Sequence, residues 1–215
     1  MKIPNLTQRL ATIAILCGIM VGIHILNLFS GGYLNSYGIE PREIDSIYTI
    51  FTAPWLHGDL THLFNNLLAI VVFSFLCLLN GRRYFLIASF LIITLTGILV
   101  WLFGRDALHI GASGWIFGLW SLIIALGWIE RSFRSIVIAL AVVFFYGSMV
   151  FGVLPTNSFV SFESHLFGAI AGIVTAIFLE RNRKLVTEPT APRPSLEFGK
   201  SRRPSLFSRF RRKHR

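Results

Sequence analysis

The sequence predicts an all-α polytopic membrane protein with six transmembrane helices. Of 215 residues, 54% are hydrophobic and only 14% charged, and the mean hydropathy is positive; this balance is foreign to a water-soluble globular domain. The apolar residues also gather into six runs close to the roughly 20 residues that a helix needs to cross the hydrocarbon core.

The first run, Leu10 to Phe29, follows Lys2 and Arg9 and precedes the small residues Ser30, Gly31 and Gly32, a pattern shared with secretory leaders. Its apolar core is longer than the roughly 7 to 15 residues of a leader, so a retained helix is expected. The segment from Ser30 to Asp59 is long and carries aromatic, Pro and charged residues, which points to a loop that is functional or partly folded on the surface. Its end, "IFTAPWLHG" (Ile50 to Gly58), reads as an interfacial stretch with Trp55 at headgroup level. Five further runs follow: Leu60 to Leu79, Tyr84 to Phe103, Ala112 to Ile129, Ile136 to Leu154 and Phe162 to Leu179. The chain thus divides into a membrane domain, residues 1–180, and a tail, residues 181–215. The tail is rich in Pro, Ser and Arg and repeats "RPSL" at Arg193 and Arg203. Such a composition predicts disorder, with the terminal "RFRRKHR" lying against anionic lipid headgroups or simply solvated and fixing topology.

The net charge of +10 would suggest nucleic acid in a soluble protein, but its distribution follows the spans. Lys and Arg number two before the first run, two in the second loop, two in the fourth and twelve from Arg181 onward; the first and third loops hold one each, Arg42 and Arg105, and the fifth none. The positive-inside rule then places both termini in the cytoplasm and starts the even-numbered spans at the outer face. A membrane partner replaces the nucleic acid, and a bacterial cell (inner) membrane is expected. Cys17 and Cys77 fall inside spans, where cysteine is usually a small packing residue, so neither a disulfide nor a metal site is expected.

Polar residues in or beside the spans need an explanation, because each costs free energy there unless paired or hydrated. They are His24, His57, His62, Asn65, Asn66, His109, Ser113 and His165. His24 stands alone in the first span with no partner suggested by spacing. His62 and Asn66 are four apart, so they share a helix face, with Asn65 on a neighbouring line. An isolated pair would serve equally well to hydrogen-bond helices together. Here, however, His62 and Asn66 open the second span, Ser113 the fourth and His165 the sixth, all at one depth. Gly114 and Gly118 are four apart on the fourth span, as are Gly168 and Gly172 on the sixth. Small residues at this spacing let helix backbones approach closely, and contact of these two helices would bring Ser113 to His165.

A serine hydroxyl becomes a nucleophile when a base takes its proton, and a neutral imidazole is the usual base. A helix N-terminus adds unpaired N–H groups and a dipole that favour developing negative charge. Nucleophile, base and oxyanion donors are the parts of an acyl-transfer site.

Those residues resemble the rhomboid family of intramembrane serine proteases: "HGDLTHLFNN" (His57 to Asn66), "GASG" (Gly111 to Gly114) and "HLFGAIAG" (His165 to Gly172) occur in order on the second, fourth and sixth of six spans. The resemblance covers roughly Leu10 to Leu179. It implies a rhomboid-like six-helix bundle with a Ser–His dyad, cleaving membrane-anchored protein substrates without a cofactor or metal. Ser113 would be the nucleophile and His165 the base. His62, Asn66 and the Ser113 N–H would hold the oxyanion, with Gly111 shaping the turn, Phe117 stacked on the histidine and His57 in support near the water route. One departure is that many members carry a Trp-Arg pair in the first loop, whereas "GIEPREIDSIYTIF" (Gly38 to Phe51) has Arg42 without an adjacent Trp. Glu163 reads as a solvated loop charge. A zinc protease would want His-Glu-x-x-His and an aspartyl one two intramembrane Asp, and the sequence has neither. A transporter would show paired charges or two corresponding halves, which are absent. A catalytically silent binding protein on the same scaffold remains the alternative reading.

Overall fold

The computed structural model describes residues 4–155 and 161–183. The basic tail beyond Arg183, with its expected disorder and lipid contact, lies outside the described residues. Within them six helical segments are long and apolar enough to cross a membrane: α1 (Leu6–Phe29), α2 (Leu60–Leu78), α3 (Arg82–Phe103), α4 (Ser113–Glu130), a fifth over Phe133–Val153 that begins with α5 (Phe133–Tyr146), and α6 (Phe162–Arg181). None of the eight prolines falls inside these helices, where each would remove a backbone hydrogen bond.

Polar side chains cap the helix starts. The Asn5 side chain accepts from the Gln8 N–H at 2.9 Å while Gln8 Oε1 accepts from the Asn5 N–H at 3.1 Å, a capping box at α1. Asp59 accepts from the His62 N–H at 2.8 Å, and this bond holds its carboxyl below the ordinary range. Ser132 and Ser161 cap α5 and α6 in the same way. The fifth span departs from the expected single run: its α-helix stops at Tyr146 and continues as a 3-10 helix from Gly147 to Val153.

The long first loop is folded, as expected, into short 3-10 helices at Tyr33–Tyr37, Ile44–Phe51 and Ala53–Trp55. Trp55 is half-buried, its ring 5.9 Å from that of Trp115. Arg42 finds a tryptophan after all, supplied by α3. The Arg42 N–H donates to the Trp101 carbonyl at 2.9 Å and the Trp101 indole donates to the Glu43 carbonyl at 2.8 Å. The Arg42 guanidinium also reaches the Gly104 carbonyl (2.7 Å) and pairs with Asp106. The first loop is thereby fastened to the third.

α4 is the hub. Its apolar stretch is 61% buried against 6% for the fifth span, and it packs on α2, α3, α5 and α6. Lipid is as apolar as leucine, so helix association here rests on close packing rather than on apolar transfer. The α4–α6 contact shows how. A Cβ at Gly168 would run into the Gly114 carbonyl, and one at Gly172 into the Gly118 carbonyl. Only glycine permits this backbone approach. Cys17 and Cys77 are unpaired.

Candidate active site

The close approach of α4 and α6 sets their first turns against each other, Ser113 on one and His165 on the other. A Cβ on Gly114 would lie 3.1 Å from the Ser164 carbonyl, so the residues following Ser113 and preceding His165 are in contact. Ser113 is the first residue of its helix and half-buried. Its Oγ makes no hydrogen bond among the described residues. The N–H groups of this first turn have no intrahelical acceptor.

His165 is 9% exposed and held from two sides. Phe117, one turn beyond Ser113, stacks on it face to face with ring centroids 4.2 Å apart and an interplanar angle of 6°. Its Nδ1 lies 2.8 Å from the Gly152 carbonyl. A carbonyl only accepts, so Nδ1 carries the proton and Nε2 of the neutral ring keeps its lone pair. Gly152 lies in the 3-10 segment after α5, and sequence reasoning missed it. Any Cβ there would come within 2.7 Å of the Phe117 ring. No motif marks it, because its partners are on α4 and α6.

Gly111 brings the α2 residues to the same place. Its backbone is left-handed (φ +111°), and a Cβ would stand 2.6 Å from the His62 ring and 3.6 Å from Asn66 Nδ2. Its N–H donates to the Ala53 carbonyl at 2.9 Å, which pins the turn to the first loop. Asn66 is buried with Nδ2 unpartnered, whereas Asn65 is exposed. Asn66 is therefore the asparagine whose amide faces this turn. His57 is fully buried, its ring 5.0 Å from His62 and edge-on to it. Burial, then the neighbouring His62, pushes its pKa down to about 4, so it is a neutral imidazole at physiological pH. His24 is not alone: its Nδ1 lies 3.2 Å from the His57 carbonyl, tying α1 to the loop before α2.

A strap from the third loop holds the start of α6. His109 exchanges backbone hydrogen bonds with Ile39 (2.9 Å each). Its ring bridges the Arg105 carbonyl (Nε2, 3.1 Å) and Ser161 Oγ (Nδ1, 2.5 Å), and Ser161 Oγ lies 2.7 Å from Ser164 Oγ. Because Nε2–H must donate to the carbonyl, Nδ1 accepts from the Ser161 hydroxyl. Burial lowers the His109 pKa and keeps the ring neutral. Glu163, expected as a solvated charge, is instead buried in the first turn of α6 and lies 3.5 Å from Arg105 Nε.

Two comparisons bear on this arrangement. The chain is 34% identical to an uncharacterized protein of Mycobacterium tuberculosis over 187 residues, covering 83% of this chain and 78% of that one. An uncharacterized protein of Mycobacterium leprae is 30% identical over 198 residues, 86% of this chain and 78% of its own. The Rhomboid domain family matches residues 45–182, from the first loop to the end of α6. With six apolar helices and the motifs of α2, α4 and α6 around one turn, the chain belongs to the rhomboid family.

Proposed function

We propose that the protein is an intramembrane serine protease that hydrolyses a peptide bond in or near the transmembrane segment of membrane-protein substrates. The observation that supports this is the setting of His165: its Nδ1–H is committed to the Gly152 carbonyl, which leaves Nε2 to serve as the base, and its helix packs through Ser164 against Gly114, the residue after Ser113. In this mechanism Nε2 takes the hydroxyl proton as Ser113 Oγ adds to the substrate carbonyl carbon. The oxyanion is stabilised by the Ser113 N–H with the side chains of His62 and Asn66. His165 then gives its proton to the leaving amine, and a water deprotonated by the same imidazole releases the acyl group from Ser113. The Gly152 carbonyl does the orienting work that a carboxylate does in a three-residue triad. His57 supports His62 from below, and Phe117 restrains the imidazole plane.

By the distribution of Lys and Arg, both termini face the cytoplasm and the site opens toward the outer face of a bacterial cell membrane. The basic tail contacts anionic lipid in this reading. The decisive experiment uses detergent-purified protein, wild type and Ser113→Ala, with a transmembrane-segment substrate and a fluorophosphonate probe in parallel. Cleavage and labelling by the wild type, both lost in Ser113→Ala, are expected. Persistent cleavage by the Ala variant overturns the nucleophile, and no cleavage or labelling across several substrates favours the silent binding scaffold. Activity falls on acidification as the imidazole base is protonated, and a profile flat to well below pH 6 would contradict a histidine base.

A further inference from the structure

At the end of the bundle opposite Ser113, the last turns of α2, α4 and α6 and the first turn of α5 enclose a cavity of about 490 Å³. One wall is apolar, built from Leu76, Ile123, Leu126 and Ile138. The other is charged, and its charges do not balance locally. Arg183 is shared by Glu130 (3.1 Å) and Glu180 (3.4 Å), leaving two carboxylates on one cation. Glu180 keeps its Oε1 buried and without a hydrogen-bond partner among the described residues. Arg134 lines the same cavity, yet the partner of its guanidinium is the uncharged Leu79 carbonyl at 2.9 Å. Among the described residues, a negative charge and a positive charge without full partners therefore share one cavity.

A buried carboxylate oxygen without a donor is costly, so the occupant should bring an N–H or O–H to Glu180. Arg134 asks for an anion on the same molecule. A metal cation would meet the first requirement and be repelled by the second. The apolar wall asks for hydrocarbon, and the cavity lies at the helix ends, where lipid headgroups sit. We propose that it binds a zwitterionic phospholipid with a primary ammonium, the phosphoethanolamine headgroup. The ammonium donates to Glu180 Oε1, the phosphate lies against Arg134, and acyl chain runs along Leu76 and Ile138. Phosphatidylcholine carries the same charges but no N–H, and phosphatidylglycerol lacks the cation. The proposal does not depend on the protease reading.

The test is native mass spectrometry of the full-length, detergent-purified protein given an equimolar mixture of phosphatidylethanolamine, phosphatidylcholine and phosphatidylglycerol. One charge-assisted hydrogen bond predicts a preference of about tenfold for phosphatidylethanolamine, about 1.4 kcal/mol. Glu180→Leu, which removes the acceptor, should erase the preference over phosphatidylcholine, and Arg134→Gln, at an exposed position, should weaken retention of all three. The readout compares lipids within each variant, so altered stability does not imitate the result. Equal retention of the three lipids by the wild type overturns the proposal. So does a preference that survives Glu180→Leu, or thermal stabilisation by soluble phosphoethanolamine as large as that by the lipid. Ser113→Ala should retain the preference in full, since it leaves this end of the bundle untouched.

Discussion

His165 is positioned by a backbone carbonyl, and a carbonyl cannot share its proton. This makes the surroundings of Gly152 as consequential for the proposed base as the imidazole itself. Gly111 is similarly constrained, since its φ of +111° and the His62 ring 2.6 Å from a Cβ leave room for hydrogen alone. Gly111→Ala should fold and still lose about ten- to a hundredfold in kcat/KM, the equivalent of about 1 to 3 kcal/mol of displaced geometry. A cleavage assay beside a melting curve separates that outcome from unfolding, and unchanged kcat/KM would refute the tight fit. His57 gives a prediction about stability. Its folded pKa of about 4 lies below the ordinary 6.5, so between those values the unfolded chain binds a proton that the folded chain refuses. Stability is therefore full above about pH 6.5 and is lost as pH falls toward 4, by about 2 kcal/mol at pH 5 from this group. The melting temperature should drop between pH 7.5 and 5, and His57→Asn should reduce the drop, His109 retaining its own share. An identical drop in the variant would assign the effect elsewhere.

At the level of elements, the contact of α4 with α6 follows from glycines that meet backbone to backbone. Gly168→Val and Gly172→Leu should force the helices apart, destabilising the protein by about 1 to 3 kcal/mol and lowering cleavage by separating Ser113 from His165. Gly18→Ala and Gly22→Ala in α1, where nothing lies within 4 Å of an added Cβ, should leave both unchanged. Equal effects at the two pairs would show that helix propensity and not contact governs. Much of this level was legible in the residues: the four-residue spacing of the glycines, and their place on the face of His165, pointed to the contact that forms. The break at Tyr146 was not legible. The apolar run continues through it, and the change to 3-10 geometry delivers the Gly152 carbonyl to a partner thirteen residues away. Hydropathy does not register such a change.

For the whole molecule, the charge distribution predicts that a cysteine placed at either terminus reacts with a membrane-impermeant thiol reagent only from the cytoplasmic side. One placed in the third loop, beside Asp106, should react only from outside. Reaction of terminus and loop from the same side would reverse or break the six-span topology. The sequence by itself determined the number and order of spans, and which polar residues share a helix face. Transfer free energy and helical periodicity are properties of contiguous residues. Only the tertiary structure decided that Trp101 serves Arg42, that Glu163 is buried against Arg105, that Gly152 meets His165, and that His24 and His109 have partners in other segments. Those contacts join residues far apart in the chain. Their partners are chosen by how the helices and loops pack, which no local spacing encodes.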